Sequence, residues 1–208
     1  MANPWEALSL KHYEAHMQYQ NVQQAQILNA IMKKQFNTFP AKSICILGIS
    51  GGNGLEHIDV NFVTKVYGID INHDYLKTCR KRFFALKNKL ILRRIDLTIN
   101  NVKLPESELV IANLIIEYLG CEVFKNIMST SNARYLSCVI QKSQDSMFVS
   151  STPFDNYFHD ISSIHNDIYE EQLIDALYKV GFRLVHMESL TTANANAKIL
   201  IKIDFERK

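Results

Sequence analysis

The stretch "ICILGISGGNGLEHI", residues 44–58, decides the fold. It opens on an apolar run, Ile44 to Leu47, that is too short for a helix and rich in residues suited to a pleated surface. Such a run reads as a strand buried on both faces. Gly48, Gly51, Gly52 and Gly54 then interrupt it, supplying a turn that tolerates positive φ and close backbone approach. "LEHI" restarts the chain as something helix-like.

Short apolar runs recur at strand length on the C-terminal side. They are "SICILGI" (43–49), "KVYGIDI" (65–71), "KLILRRI" (89–95), "ELVIANL" (108–114), "RYLSCVIQ" (134–141), "FRLVHMESL" (182–190) and "AKILIKIDF" (197–205). Helix-competent stretches lie between them at 73–87, 117–129 and 166–181, the last stopped by Gly181. Alternation of this kind predicts an α/β fold in which a mostly parallel sheet is covered on both sides. Only "TTANANA" separates the last two strands, too little for a helical crossover, so they form a hairpin and one strand runs antiparallel. On the N-terminal side, residues 5 to 35 carry Trp5, Leu8, Tyr13, Met17, Val22, Ile27, Leu28 and Ile31 at helical spacing, one or two amphipathic helices ending before "NTFPAK". The chain thus divides into a helical extension (1–39) and an α/β core (40–208) within a single domain.

Composition sets the outer limits. A hydrophobic content of 47% over 208 residues suffices for one sizeable core, and a net charge of +2 points to no polyanionic partner. Basic residues do gather between Lys77 and Arg94, the pattern of a solvated helix face. Cys45, Cys79, Cys121 and Cys138 are scattered with no metal-ligand spacing, so no metal site is expected, and they read as reduced cysteines of a cytoplasmic protein. No apolar run is long enough to suggest a membrane span.

In an open α/β sheet, ligands bind beyond the carboxyl ends of the strands. The glycines of "GISGGNG" stand there after the first strand, where backbone N–H groups can meet an anionic or adenosyl ligand. Asp70 ends the second strand in "YGIDIN", and its two oxygens suit the two hydroxyls of a ribose. Asp96 ends the third in "RRIDLT", able to accept from an adenine amino group while Leu97 or Ile71 packs on the ring.

Glycines, acid and acid at three successive strand tips, with the terminal hairpin, resemble the class I S-adenosylmethionine-dependent methyltransferases. The resemblance covers residues 40 to 208 through "LGISGGNG", "GIDIN" and "RIDLT". It implies a Rossmann-like three-layer sandwich with a seven-stranded sheet and S-adenosylmethionine as cofactor. The implied cofactor-binding residues are Gly48, Ile49, Ser50, Gly52, Gly54, Asp70, Ile71, Asp96, Leu97 and Asn113. The sequence departs from the family in one place: Gly48 stands where an acid is usual and Ser50 where the first glycine of the loop is usual. That acid normally helps hold the methionine end. Asn113 is positioned to accept from the ammonium instead, through its amide or backbone oxygen.

Methyl transfer from a sulfonium asks the protein for alignment and a dry pocket, and for a base only if the nucleophile must lose a proton. Candidates near the transferred methyl are Glu117 and Tyr118 after the fourth strand, and Tyr157 and His159 in the long aromatic segment 152–167. Glu117 reads equally as a first-turn helix acid. "ANLI" lacks the prolines by which base-amine methylating enzymes grip a nucleobase, which favours a small-molecule acceptor over nucleic acid. Tyr13, His16 and Met17 either close over the cofactor or cover the sheet edge. Two other classes stay open: an NAD-dependent oxidoreductase, which would want G-x-G-x-x-G, and a cofactor-binding protein without transfer activity.

Overall fold

The computed structural model describes residues 3–143, 149–191 and 198–208. Its strands are β1 (Ser43–Leu47), β2 (Lys65–Asp70), β3 (Leu90–Arg94), β4 (Leu109–Asn113), β5 (Tyr135–Ser143), β6 (Phe182–Thr191) and β7 (Lys198–Arg207). They form one seven-stranded sheet in the order β3-β2-β1-β4-β5-β7-β6. β1 to β5 pair in parallel, and β7 runs antiparallel to both β5 and β6, the expected terminal hairpin. The segment "TTANANA" lies largely outside the described residues. No helix among the described residues is long and apolar enough to cross a membrane.

Among the described residues six α-helices accompany the sheet: α1 (Leu10–Gln18), α2 (Gln24–Thr38), α3 (His73–Arg82), α4 (Ile116–Ser129), the short α5 (His159–Ser162) and α6 (Glu170–Tyr178). On one face, α4 and α6 bury Ile116, Phe124, Ile127, Leu173 and Leu177 against the sheet. On the other, Met32 of α2 and Leu76 and Cys79 of α3 pack on Ile44, Ile46, Val66, Leu109 and Ile111. Strand order reverses between β1 and β4, so the tips at Gly48 and Asn113 frame the crevice where ligands of such sheets bind.

Four elements differ from the sequence expectation, the first being the stretch 73–87, where α3 stops at Arg82 and a separate 3-10 turn follows at Phe84–Leu86. "LEHI" makes only one 3-10 turn, Leu55–His57, and α2 from the N-terminal extension supplies the helical cover beside it. The helix expected over 166–181 begins at Glu170, because Asn166 is held outside it by donating its backbone N–H and its Nδ2 to the Glu117 carbonyl, at 2.6 and 2.9 Å. α4 is interrupted at Gly120, whose φ of 75° is left-handed.

Gly54 explains why the loop can lie so close to α2. Its φ is +90°, and a Cβ there would sit 2.5 Å from Met32 Cβ, an atom fixed to the helix backbone. Gly54→Ala is expected to cost about 2 kcal/mol through backbone strain and overpacking, read as a lower denaturant midpoint at unchanged slope. An unchanged midpoint would show that α2 yields freely.

Candidate active site

The tip of β2 organises the crevice. Asp70 Oδ2 accepts the Ser50 N–H at 2.8 Å and Oδ1 accepts the Asn72 N–H at 2.9 Å, so one carboxylate clamps the glycine loop to the start of α3. Burial pushes the Asp70 carboxyl above its ordinary range, and the amides of Asn72, Ser50 and Ile71 pull against that rise. Asn72 continues the clamp. Its Oδ1 caps α3 by accepting from the Asp74 and Tyr75 N–H groups, and its Nδ2 donates to the Trp5 and Leu8 carbonyls at 2.8 and 3.1 Å. The N-terminal segment is thereby tied across the strand tips. Arg94 adds a second tie, donating Nε to the Ile71 carbonyl and Nη2 to Glu6.

Under this segment lies a cavity of about 80 Å³ lined by Gly48, Ser50, Asp70, Ile71, Asp96, Leu97, Asn113 and Tyr118, all singled out from the sequence. Trp5, Tyr13 and Tyr75 line it as well; of these the sequence reading connected only Tyr13 with the cofactor, as part of a helix that either closes over it or covers the sheet edge. Their rings form a cluster with Tyr118: Trp5 meets Tyr118 edge-on at 4.8 Å between centroids, and Tyr13 stacks with Tyr75 at 6.0 Å. Asp96 Oδ1 accepts the Thr98 N–H and hydroxyl, at 2.9 and 2.6 Å. Among the residues that line the cavity, Ser50 Oγ, Tyr75 Oη and Trp5 Nε1 are buried with no hydrogen-bond partner among the described residues. Buried polar groups are otherwise nearly always satisfied, so three around one cavity mark a place built for a polar ligand.

Backbone strain gathers at the same place. Ser50 and Leu114 have φ of 51° and 54°, unusual for residues with side chains, and Gly48 has φ of 65°. A Cβ on Gly48 would lie 3.3 Å from Ile115 Cδ1, so a side chain at this position meets both a left-handed backbone and Ile115. Gly52 and Gly54 serve packing more than the cavity, since a Cβ on Gly52 would fall 2.6 Å from the Phe83 ring. Ile49 is buried, its N–H bonded to the Ile69 carbonyl.

Two further cavities meet the first at Tyr13, which lines all three. The second, about 350 Å³, runs from Gly48 and Asn113 past Ser50–Asn53 to Glu14 and Arg82, which form a two-pronged ion pair. The third, about 50 Å³, lies toward β5 between Trp5, Tyr118, His16 and Phe158. α1 therefore sits over the strand tips as a roof, while α2 buries Leu28 and Ile31 against Val139 and Leu200. Of the two readings of the extension, α1 has the position of the first, while α2 packs on the face of the sheet at interior strands and not on its edge.

Several expected residues stand elsewhere. The Asn113 amide is engaged with Gln35: Oδ1 accepts from Gln35 Nε2 and Nδ2 donates to Gln35 Oε1, both at 2.9 Å. Gln35 also donates to Ser137, whose hydroxyl donates to Asp204, itself paired with Lys202 in the core. Glu117 does not line the first cavity; its carboxyl is fully buried, with Oε1 accepting the Gln141 N–H at 2.6 Å. Tyr157 and His159 face outward, Tyr157 stacked on His12 at 3.6 Å, because their neighbours Phe158 and Ile161 take the buried positions.

No protein-family model and no curated protein matches this sequence. Solved structures do match. Magnesium protoporphyrin IX methyltransferase from Synechocystis, with bound SAM, is 14% identical over 89% of this chain and 79% of its own, with a TM-score of 0.60. Geranyl diphosphate C-methyltransferase from Streptomyces coelicolor, in complex with S-adenosyl-L-homocysteine, is 8% identical over 89% and 81%, with a TM-score of 0.65. The cyclase SpnF is 10% identical over 89% and 82%, with a TM-score of 0.62. The chain has the class I methyltransferase fold.

Proposed function

We propose that the protein binds S-adenosylmethionine across the first two cavities and transfers its methyl group to a small-molecule acceptor held in the third. The observation that carries this reading is that Asp70, Asp96 and three residues with a buried polar atom lacking a partner among the described residues, Ser50, Tyr75 and Trp5, line one cavity. Asp70 would take the ribose hydroxyls on lone pairs that the Ser50 and Asn72 amides leave free. Asp96 would accept from the adenine amino group, with Ile71 and Leu97 against the ring. The bound cofactor supplies a methyl already activated by its sulfonium, so the residues have only to align, desolvate and, where needed, remove a proton.

The methionine end belongs in the second cavity. There Glu14 and Arg82 offer opposite charges matched to an ammonium and a carboxylate, in place of the acid absent at Gly48. Glu14→Gln is expected to weaken S-adenosylhomocysteine about tenfold while leaving methylthioadenosine, which lacks the amino-acid end, unchanged. Equal effects on both ligands would remove Glu14 from this role. The small third cavity supports a small acceptor, as do neighbours named for porphyrin and geranyl diphosphate methylation.

Titration calorimetry tests the cofactor: S-adenosylhomocysteine should bind with one-to-one stoichiometry. NADH binding without response to the adenosyl ligand would overturn it. A second reading, cofactor binding without methyl transfer, draws on the cyclase that shares this fold. Release of labelled methyl into small-molecule extract fractions separates the two.

A further inference from the structure

The third cavity contains a proton acceptor. His16 is 4% exposed, and its Nδ1 lies 3.0 Å from Thr152 Oγ1. Thr152 has one hydroxyl proton, and Asp155 Oδ1, 3.2 Å away, can only accept it when ionised. The same Oγ1 already accepts the Phe154 N–H at 3.2 Å. Thr152 therefore donates to Asp155 and accepts from His16, so the imidazole carries its proton on Nδ1 and presents the Nε2 lone pair. Phe158 packs against the ring at 4.4 Å between centroids and holds its orientation.

We propose that the third cavity is the acceptor site for a small planar hydroxyl compound of the phenol class, with His16 Nε2 as the base that removes the hydroxyl proton. The proposal rests on the methyl-donor reading above. Trp5, Tyr13, Tyr118 and Phe158 make the walls aromatic, suited to a flat ring. No carboxylate lines the cavity among the described residues, which disfavours a cationic amine. Tyr13, Leu114 and Tyr118 also line the first cavity, so acceptor and donor sites share a wall at the strand tip. As the acceptor oxygen attacks, the new C–O bond forms, the S–CH₃ bond breaks with its electron pair going to sulfur, and the proton passes to Nε2. Asp155, acting through Thr152, steadies the imidazolium that results. Burial holds the His16 imidazolium down at about 4, against the opposing charge of Asp155, so the ring is neutral at physiological pH, while its basicity is reduced below that of a free imidazole. Tyr13 and Tyr118 are the other titratable groups in these walls among the described residues; burial raises both further above their ordinary values, which leaves them protonated.

The probes are para-nitrophenol, already ionised at mildly alkaline pH, and para-cresol, which is not. The wild type is expected to methylate both. His16→Ala should lose roughly a hundredfold in kcat with para-cresol but less than tenfold with para-nitrophenolate, and added imidazole should restore part of the cresol activity. Without any methyl donor, binding of neutral para-nitrophenol at lower pH, read from its absorbance band, should weaken about tenfold in the variant. S-adenosylhomocysteine affinity should stay within about twofold of wild type. Equal losses with both phenols, or a parallel loss of S-adenosylhomocysteine affinity, would reduce His16 to a structural role and overturn the proposal. A wild type that binds S-adenosylhomocysteine but methylates neither phenol would overturn it too. Failure to bind the adenosyl ligand at all would instead refute the cofactor reading.

Discussion

Asp70→Ala is expected to weaken S-adenosylhomocysteine about a thousandfold. Two hydroxyl donors on one ionised carboxylate are worth roughly 4 kcal/mol together, and each 1.4 kcal/mol is a factor of ten. The alanine also frees the Ser50 and Asn72 N–H groups that hold the glycine loop, so part of the loss comes from a loop no longer preorganised. Asp70→Asn separates the two effects, since an amide oxygen still accepts from one backbone N–H while the charge is gone. Calorimetry should place the asparagine variant between wild type and alanine. A loss below tenfold in the alanine variant would remove Asp70 from the ribose role. The pH dependence has a definite sign. Burial raises the folded carboxyl above its unfolded value, so its contribution to stability is present below the unfolded value and lost as pH rises through the folded one. Ligand binding needs the charged form, so affinity should fall on acidification through that raised range and lose this dependence in Asp70→Asn.

Glu117→Gln is expected to stabilise the protein at alkaline pH and to cost it about 1 kcal/mol in acid, where only the burial of the amide counts. The Glu117 carboxyl is fully buried, Oε2 has no hydrogen-bond partner, and burial pushes it from 4.5 up to about 7 against the Gln141 amide. Because the folded value is the higher one, this group's contribution is fully present below 4.5 and lost as pH rises through about 7. At 1.36 kcal/mol per pH unit the loss amounts to about 3 kcal/mol. Glutamine cannot ionise and still accepts the Gln141 N–H. After the cost of burying its amide, a gain of about 2 kcal/mol remains, or about 4–8 °C in Tm for a chain of this size. Thermal melts in acid and in alkali check it: an equal gap in both would mean that Glu117 does not titrate in the fold. The first turn of α4 places Glu117 where the helix dipole favours an acid, yet the side chain turns into the core beneath the site.

Much of the crevice was legible in the sequence because strand tips are local features. A run of apolar residues ending at Gly48, Asp70, Asp96 or Asn113 marks the carboxyl edge of the sheet without knowledge of any partner strand. The N-terminal residues were not legible. Trp5, Tyr13 and His16 have the apolar spacing of any amphipathic helix, and nothing in that spacing says which surface the helix covers. Glu14 and Arg82 are separated by β1, the glycine loop and β2, and an ion pair across that distance leaves no local signature. Asn113 shows the same cause: it was read as accepting from a ligand through its amide or its backbone oxygen, and Gln35, far away in α2, engages the amide.

By itself, then, the sequence determined the order of strands and helices, the terminal hairpin and the glycine-acid-acid series, all set by periodicity and turn chemistry within a few residues. Only the tertiary structure decided that α1 roofs the strand tips, that three cavities meet at Tyr13, and that His16, Thr152 and Asp155 join in one hydrogen-bonded line. Those contacts link segments far apart in the chain. They arise when the apolar faces of α1 and of the segment around Phe158 are buried together, a choice made by packing.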